Sequence, residues 1–254
     1  MSDGETEVLR NRSLLGGDGR TVLVAFDHGL GAGPSPGSED PRAVLEKVVG
    51  AGADGVLVSP GVHRRFAEIL DSRTHVILSI PTDQRYVEYA AKTSCAGVKT
   101  TFFGDVTDPA PFLAMQEVAL ACHVWGIQYL DEVVPAEPGT QMAIRDDRLV
   151  QLAARKAAEL GADVVKTAYP ATKEGFAAAV ATTFIPVVVL GGQMADDRGV
   201  LQMAKDSIDA GGSGVAFGRN VWGRKDPGAM VRALRALVHE GRSVDDALAV
   251  LGGS

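Results

Sequence analysis

Two stretches of the chain carry a lysine inside an apolar, β-branched run, each followed by threonine. They are "AGVKTTFFGD" at 96–105, with Lys99, and "ADVVKTAYPA" at 162–171, with Lys166. An ammonium group is almost never buried unpaired, so a lysine placed in a strand of this kind has a task. For Lys166 the task is nucleophilic attack. Burial or a neighbouring cation lowers a lysine's pKa, and the neutral amine adds to a ketone to form a Schiff base. Lys99 is read in two ways. It repels Lys166 toward the neutral form and holds substrate, or it pairs with a carboxylate and only stabilises the fold.

Two carboxylates end apolar runs of their own, Asp27 in "VAFDHG" and Glu132 in "YLDEV". Carboxylates beside an imine suit proton transfer. Glu132 is preferred over its neighbour Asp131 as the inward residue, a choice that strand register decides. His28 either touches substrate or shapes the first loop, and Tyr169 either lines the pocket or packs against the next helix. Two glycine-bearing turns, "LGGQ" (190–193) and "FGRN" (217–220), form a third feature. Gly191, Gly192 and Gly218 let backbone N–H groups approach phosphate oxygens, and Arg219 offers a bidentate contact. Metal ligation is not expected, because only His28 of the five histidines stands at a strand end and neither HxxxH nor CxxC spacing occurs. No cofactor is implied.

These residues need a scaffold that gathers strand ends. Strand-length apolar runs occur at 21–26, 55–59, 75–80, 97–102, 127–133, 163–169, 186–191 and 213–218. Their continuous rather than alternating hydrophobicity is that of strands buried on both faces. Helical stretches lie between them, for example 42–53, 111–126, 147–162 and 230–241, and Gly-Ala segments end several of these just before a strand. Eight such units in 254 residues predict an α/β fold, a single (β/α)8 TIM barrel. The whole chain, 1–254, is read as one domain, with 1–19 a lead-in segment and 243–254 a C-terminal tail helix. Active residues of such a barrel sit at the C-terminal strand ends, where the lysines, carboxylates and glycine turns all fall. The loops after strands seven and eight commonly hold phosphate.

Composition narrows the function further. The chain is 46% hydrophobic with a net charge of −7, and its densest basic pair is Arg64–Arg65, so a nucleic-acid surface is not expected. No apolar run approaches the roughly 20 residues of a membrane span, and the acidic, polar start "MSDGETEVLRNRS" does not read as a signal peptide. Cys95 and Cys122 lie in apolar helical patterns and are read as reduced core residues of a cytoplasmic protein.

Taken together, "AFDHG", "VVKTAYP", "LGG" and "GSGVAFGRNVW" resemble motifs of the class I aldolases of the DeoC/LacD and archaeal-type fructose-bisphosphate aldolase group. The resemblance runs from about residue 20 to 240. It implies a metal-independent lyase that makes or cleaves a C–C bond in a phosphorylated ketose, with dihydroxyacetone phosphate as donor or product. It also implies a homo-oligomer, Lys166 as imine lysine, Asp27 as acidic residue, and Gly192, Gly218 and Arg219 at the phosphate. Archaeal-type fructose-bisphosphate aldolases carry a tyrosine in a "YPRG"-like segment after strand five and often a lysine where Gln193 stands. The corresponding "DEVVPAEPG" has no tyrosine. Lys99 and Glu132 instead match the tagatose-bisphosphate aldolase branch. Alternatives are a biosynthetic relative that condenses a ketose phosphate or dihydroxyacetone phosphate with an amino-acid semialdehyde, acyl transfer from a phosphorylated signal molecule, and a non-catalytic phosphate-metabolite sensor.

Overall fold

The computed structural model describes residues 13–70 and 74–252. Most of the expected lead-in segment, residues 1–12, and the last two residues of the expected tail helix lie outside the described residues.

Eight parallel strands close into a barrel in sequence order, β1 Thr21–Phe26, β2 Gly55–Val58, β3 His75–Ser79, β4 Gly97–Gly104, β5 Gln128–Pro135, β6 Val164–Thr167, β7 Val187–Leu190 and β8 Gly214–Phe217. This is the predicted TIM barrel. β4 and β5 run two residues further than the sequence pattern suggests, and their pairing extends from Gly97–Gln128 to Gly104–Pro135. Helices connect the strands, among them α1 Gly29–Ala32, α2 Pro41–Gly50, α3 Pro60–Leu70, α4 Arg85–Lys92, α5 Ala110–Trp125, α6 Asp147–Glu159, α7 Lys173–Thr182 and α8 Asp197–Asp209. After β8 come α9 Arg219–Trp222, α10 Pro227–Val238 and α11 Val244–Gly252.

The two-residue period of each strand divides the core. Leu23, Ala25, Leu57, Ile77, Leu130, Val164, Val188 and Ala216 fill the barrel interior, with Leu14 closing it from the N-terminal side. Alternate residues such as Val22, Val24, Val56, Tyr129 and Val133 pack instead against the helices. Every strand is therefore apolar on both faces, and a lysine or carboxylate can enter the interior only above its filled layers.

Helix starts are set by local chemistry. Asp146 caps α6 by accepting from the backbone N–H groups of Arg148 and Leu149, and Thr172 and Asp196 do the same for α7 and α8. The Gly-Ala segments end helices as expected: Gly161 and Gly211 adopt φ of 101° and 93°, which turns the chain sharply into β6 and β8. At the N-terminal end of the barrel, His239 after α10 bridges Asp18 (2.7 Å) and Asp54 (2.8 Å), fastening both ends of the barrel sequence together. Among the described residues no helix is long and apolar enough to cross a membrane.

Candidate active site

A cavity of about 820 Å³ opens at the C-terminal ends of the strands. All ten candidate residues line it or adjoin it: Asp27, His28, Lys99, Glu132, Lys166, Tyr169, Gly191, Gly192, Gly218 and Arg219. Inward alternation explains the placement. Above Leu130 on β5 the next inward residue is Glu132, and above Val164 on β6 it is Lys166. Glu132 and Lys166 are direct partners across the β5–β6 ladder, whereas Lys99 pairs with Leu130, two residues lower.

The four charged groups form one chain of contacts. Lys99 Nζ donates to Asp27 Oδ2 (2.5 Å) and to Glu132 Oε2 (2.8 Å), while Lys166 Nζ lies 2.6 Å from Glu132 Oε1. Ser79 Oγ donates to Asp27 (2.6 Å) and Thr101 Oγ1 to Glu132 (3.1 Å). Lys99, Glu132 and Lys166 are only 4–5% exposed. Two cations offset two anions, which makes such burial tolerable.

Electrostatics follow from this geometry. Burial opposes the charge on Asp27, but the ammonium groups of Lys99 and Lys166 overcome it and hold the carboxyl well below its usual range. Glu132 is likewise penalised by burial, yet Lys166 and Lys99 bring it down to about 2. Burial disfavours the charge on Lys99, and Asp27 with Glu132 more than compensates, so Lys99 is held more firmly as a cation than a free lysine. Of the two expectations for Lys99, the geometry shows the pairing and not the lysine–lysine repulsion. Glu132 stands between Lys99 and Lys166 as a shared anion.

Register also resolves the Asp131 question. Asp131 faces the helices between Tyr129 and Val133, where Thr100 Oγ1 donates to its Oδ1 (2.9 Å) and its Oδ2 has no partner among the described residues. Burial pushes its carboxyl up to about 7.

The opposite wall is built by the glycine turns. Gly192 adopts φ of 61° after β7, and its carbonyl accepts from Arg219 Nη2 (3.2 Å). A Cβ on Gly218 would come within 2.3 Å of His28 Cε1, so this glycine makes room for the imidazole. His28 also meets Trp222 edge-on at 5.4 Å. Burial, then Lys166 and Arg219, lower its pKa against the pull of Asp27, which favours a neutral ring. Tyr169 does both things expected of it, lining the cavity and stacking on Phe176 of α7 at 5.3 Å. Among the described residues no group of three or more His, Cys, Asp or Glu side chains is arranged to hold a metal ion.

A lysine–carboxylate–lysine chain at the mouth of a parallel barrel, facing a wall of glycine turns, gathers in one cavity the residues that the sequence motifs single out. A family model described as DeoC/LacD family aldolase matches residues 21–224. The chain belongs to the DeoC/LacD aldolase family. It is a class I aldolase, a lyase of the Schiff-base lysine type. This aldolase is 32% identical over 264 residues to the 2-amino-3,7-dideoxy-D-threo-hept-6-ulosonate synthase of Halobacterium salinarum, covering 99% of this chain and 98% of that one. It is 30% identical over 257 residues to the class 1 fructose-bisphosphate aldolase of Halobacterium salinarum, covering 91% and 95%. It superposes with a TM-score of 0.79 and 25% identity on an archaeal fructose-1,6-bisphosphate aldolase whose catalytic lysine is bound covalently to the carbinolamine intermediate, over 92% of this chain and 99% of that one.

Three residues in or behind the aldolase's cavity wall have no role in the sequence reading. Ser79, which bonds Asp27, ends β3 one residue before the end of the apolar run 75–80. Asn220 is 1% exposed and binds the β7 turn through the carbonyls of Gly191 (2.8 Å) and Gln193 (3.0 Å) and the N–H of Ala195 (3.1 Å). Arg145 enters the cavity wall from the long β5–α6 loop. An "RN" after a glycine-ended strand signals the second of these; no local pattern marks the other two.

Proposed function

We propose that this aldolase makes or cleaves a C–C bond in a phosphorylated ketose through an imine on Lys166, with dihydroxyacetone phosphate as donor or product. The contact between Lys166 Nζ and Glu132 Oε1, 2.6 Å, carries the reading. It places a proton acceptor on the amine inside a cavity whose far wall suits a phosphate.

In the cleavage direction Glu132 takes the ammonium proton, and the Lys166 amine adds to the ketone carbon. The carbinolamine loses water to give a protonated imine. Removal of the proton from the substrate's C4 hydroxyl then breaks the C3–C4 bond, and the electron pair enters the imine to give an enamine. The aldehyde leaves, the enamine is reprotonated, and water releases the ketone. Glu132 and Asp27 exchange these protons, Lys99 fixes both carboxylates and a substrate hydroxyl, and His28 and Tyr169 contact substrate. Gly191, Gly192, Gly218 and Arg219 hold the phosphate.

Borohydride added with dihydroxyacetone phosphate should give a covalent adduct on the peptide containing Lys166, absent in Lys166→Met. An adduct on Lys99 would invert the assignment. No adduct, together with EDTA-sensitive turnover, would rule the mechanism out.

The 32%-identical synthase favours a second reading, in which the ketose phosphate or dihydroxyacetone phosphate condenses with an amino-acid semialdehyde. Product analysis with a panel of aldehydes separates the two. The whole chain is read as one barrel unit working in the cytoplasm, in keeping with its buried free cysteines. The exposed Leu113, Leu120 and Val124 on one side of α5 suit the expected homo-oligomer.

A further inference from the structure

Arg145 lies in the β5–α6 loop, thirteen positions after Glu132. Its backbone is not free to wander. The loop folds back through an antiparallel bridge between Ala136 and Ala143, Ile144 N–H donates to Pro135 (2.7 Å), and Ala171 N–H donates to the Arg145 carbonyl (2.8 Å). The next residue, Asp146, caps α6. Arg145 is thus tied to the end of β5, the segment after β6 and the start of a helix.

Its guanidinium reaches the β7 turn. Arg145 Nη2 is 3.8 Å from the position that a Cβ on Gly192 would occupy, and Arg219 Nη2 donates to the Gly192 carbonyl. Two guanidinium groups, one from the β5–α6 loop and one from the start of α9, therefore stand against one glycine. Neither has an ion-pair partner among the described residues, while Lys99 and Lys166, deeper in the same cavity, are matched by Asp27 and Glu132. Two cations set against one glycine without a carboxylate suit a dianionic phosphate, whose several oxygens accept from two planar forks at once.

We propose that Arg145 is the second arm of a two-arginine clamp on the substrate phosphate and determines the preference for phosphorylated over unphosphorylated ketones. The inference rests on the phosphorylated-ketose reading of this cavity but not on imine chemistry. It assigns to the β5–α6 loop a part in binding that Gly192, Gly218 and Arg219 alone do not supply.

Calorimetric titration with glycerol 3-phosphate, which has no carbonyl and cannot form an imine, isolates the clamp. Arg145→Gln should weaken its binding roughly ten- to hundredfold, the loss expected for a charge-assisted hydrogen bond, and Arg145→Lys should fall between. Borohydride trapping by unphosphorylated dihydroxyacetone should be equal in wild type and Arg145→Gln. Equal affinity of wild type and Arg145→Gln for glycerol 3-phosphate would overturn the proposal, as would a wild type that does not bind it. Equal loss of dihydroxyacetone trapping would also overturn it, by showing a general disturbance of the site. A wild type that binds glycerol 3-phosphate with the Arg145 dependence but traps neither ketone supports the clamp and counts against the Lys166 imine alone.

Discussion

Glu132 and Lys166 are neighbours across the β5–β6 ladder, and their charged ends meet at 2.6 Å inside the barrel. The other oxygen of the same carboxylate accepts from Lys99 at 2.8 Å. One anion therefore serves two cations with different prospects. Lys99 has a second carboxylate, Asp27, and stays charged; among the described residues Lys166 pairs with Glu132 alone. A proton moved from Lys166 to Glu132 leaves the Lys99–Asp27 pair intact, so the proposed nucleophile can be freed without dismantling the cluster.

Glu132→Gln keeps the side chain's shape and removes its charge. Turnover should fall about 10²- to 10⁴-fold, the usual range for a general base. The variant leaves two ammonium groups facing one carboxylate, so it should also lose about 3–5 kcal/mol of stability. Trapping rates per folded molecule separate the two effects. The acid dependence has a definite sign. Asp27 and Glu132 are both held below their unfolded values, so their contribution is present above about pH 4.5 and is lost as pH falls toward 2. Acid unfolding monitored by circular dichroism should be less steep in Glu132→Gln than in wild type.

Asp131 reverses that sign. Its carboxyl keeps a proton up to about pH 7 in the folded barrel but releases it near 3.8 when unfolded. Raising pH between these values favours the unfolded chain, and the penalty is complete above 7. Asp131→Asn preserves the acceptor facing Thr100 and cannot ionise. Its melting temperature should change less between pH 4.5 and pH 8 than that of wild type. An unchanged pH slope would show that Asp131 is already ionised in the folded state.

His239 gives the third pH signature. Hydrogen bonds to Asp54 and Asp18 raise its pKa above 6.5 despite partial burial. Its contribution is complete below 6.5 and is lost as pH rises through the elevated folded value. His239→Gln removes the titration. Wild type should lose more melting temperature than the variant between pH 6 and pH 9, with no change in ketone trapping, because the cluster lies at the end of the barrel opposite the cavity.

Much of this architecture is legible in the chain because burial on both faces leaves eight unbroken apolar runs. Lys99, Lys166, Asp27 and Glu132 stand out against those runs, and the barrel rule places them at one end. Local patterns fail where a residue's direction depends on its neighbours' register. Asp131 and Glu132 differ by one position and face opposite sides of the wall, and only the β5–β6 pairing decides between them. Ser79 is hidden because β3 ends one residue before the apolar pattern does. Arg145 and Asn220 owe their positions to loop paths that bring residues 47 and 29 positions apart in sequence against Gly192 and Gly191.

Asn220 tests whether the β7 turn is a binding element or only a well-packed corner. Its amide spans Gly191, Gln193 and Ala195, holding in place the turn on which Arg219 also rests. Asn220→Ala removes three hydrogen bonds from the turn and should cost about 1–3 kcal/mol, seen as a lower Tm. A purely structural residue would stop there. If the turn shapes the phosphate wall, KM for the phosphorylated ketose should also rise roughly tenfold while trapping by dihydroxyacetone is unchanged, because only the phosphate relies on that wall. Equal losses for both ketones would assign Asn220 to stability alone.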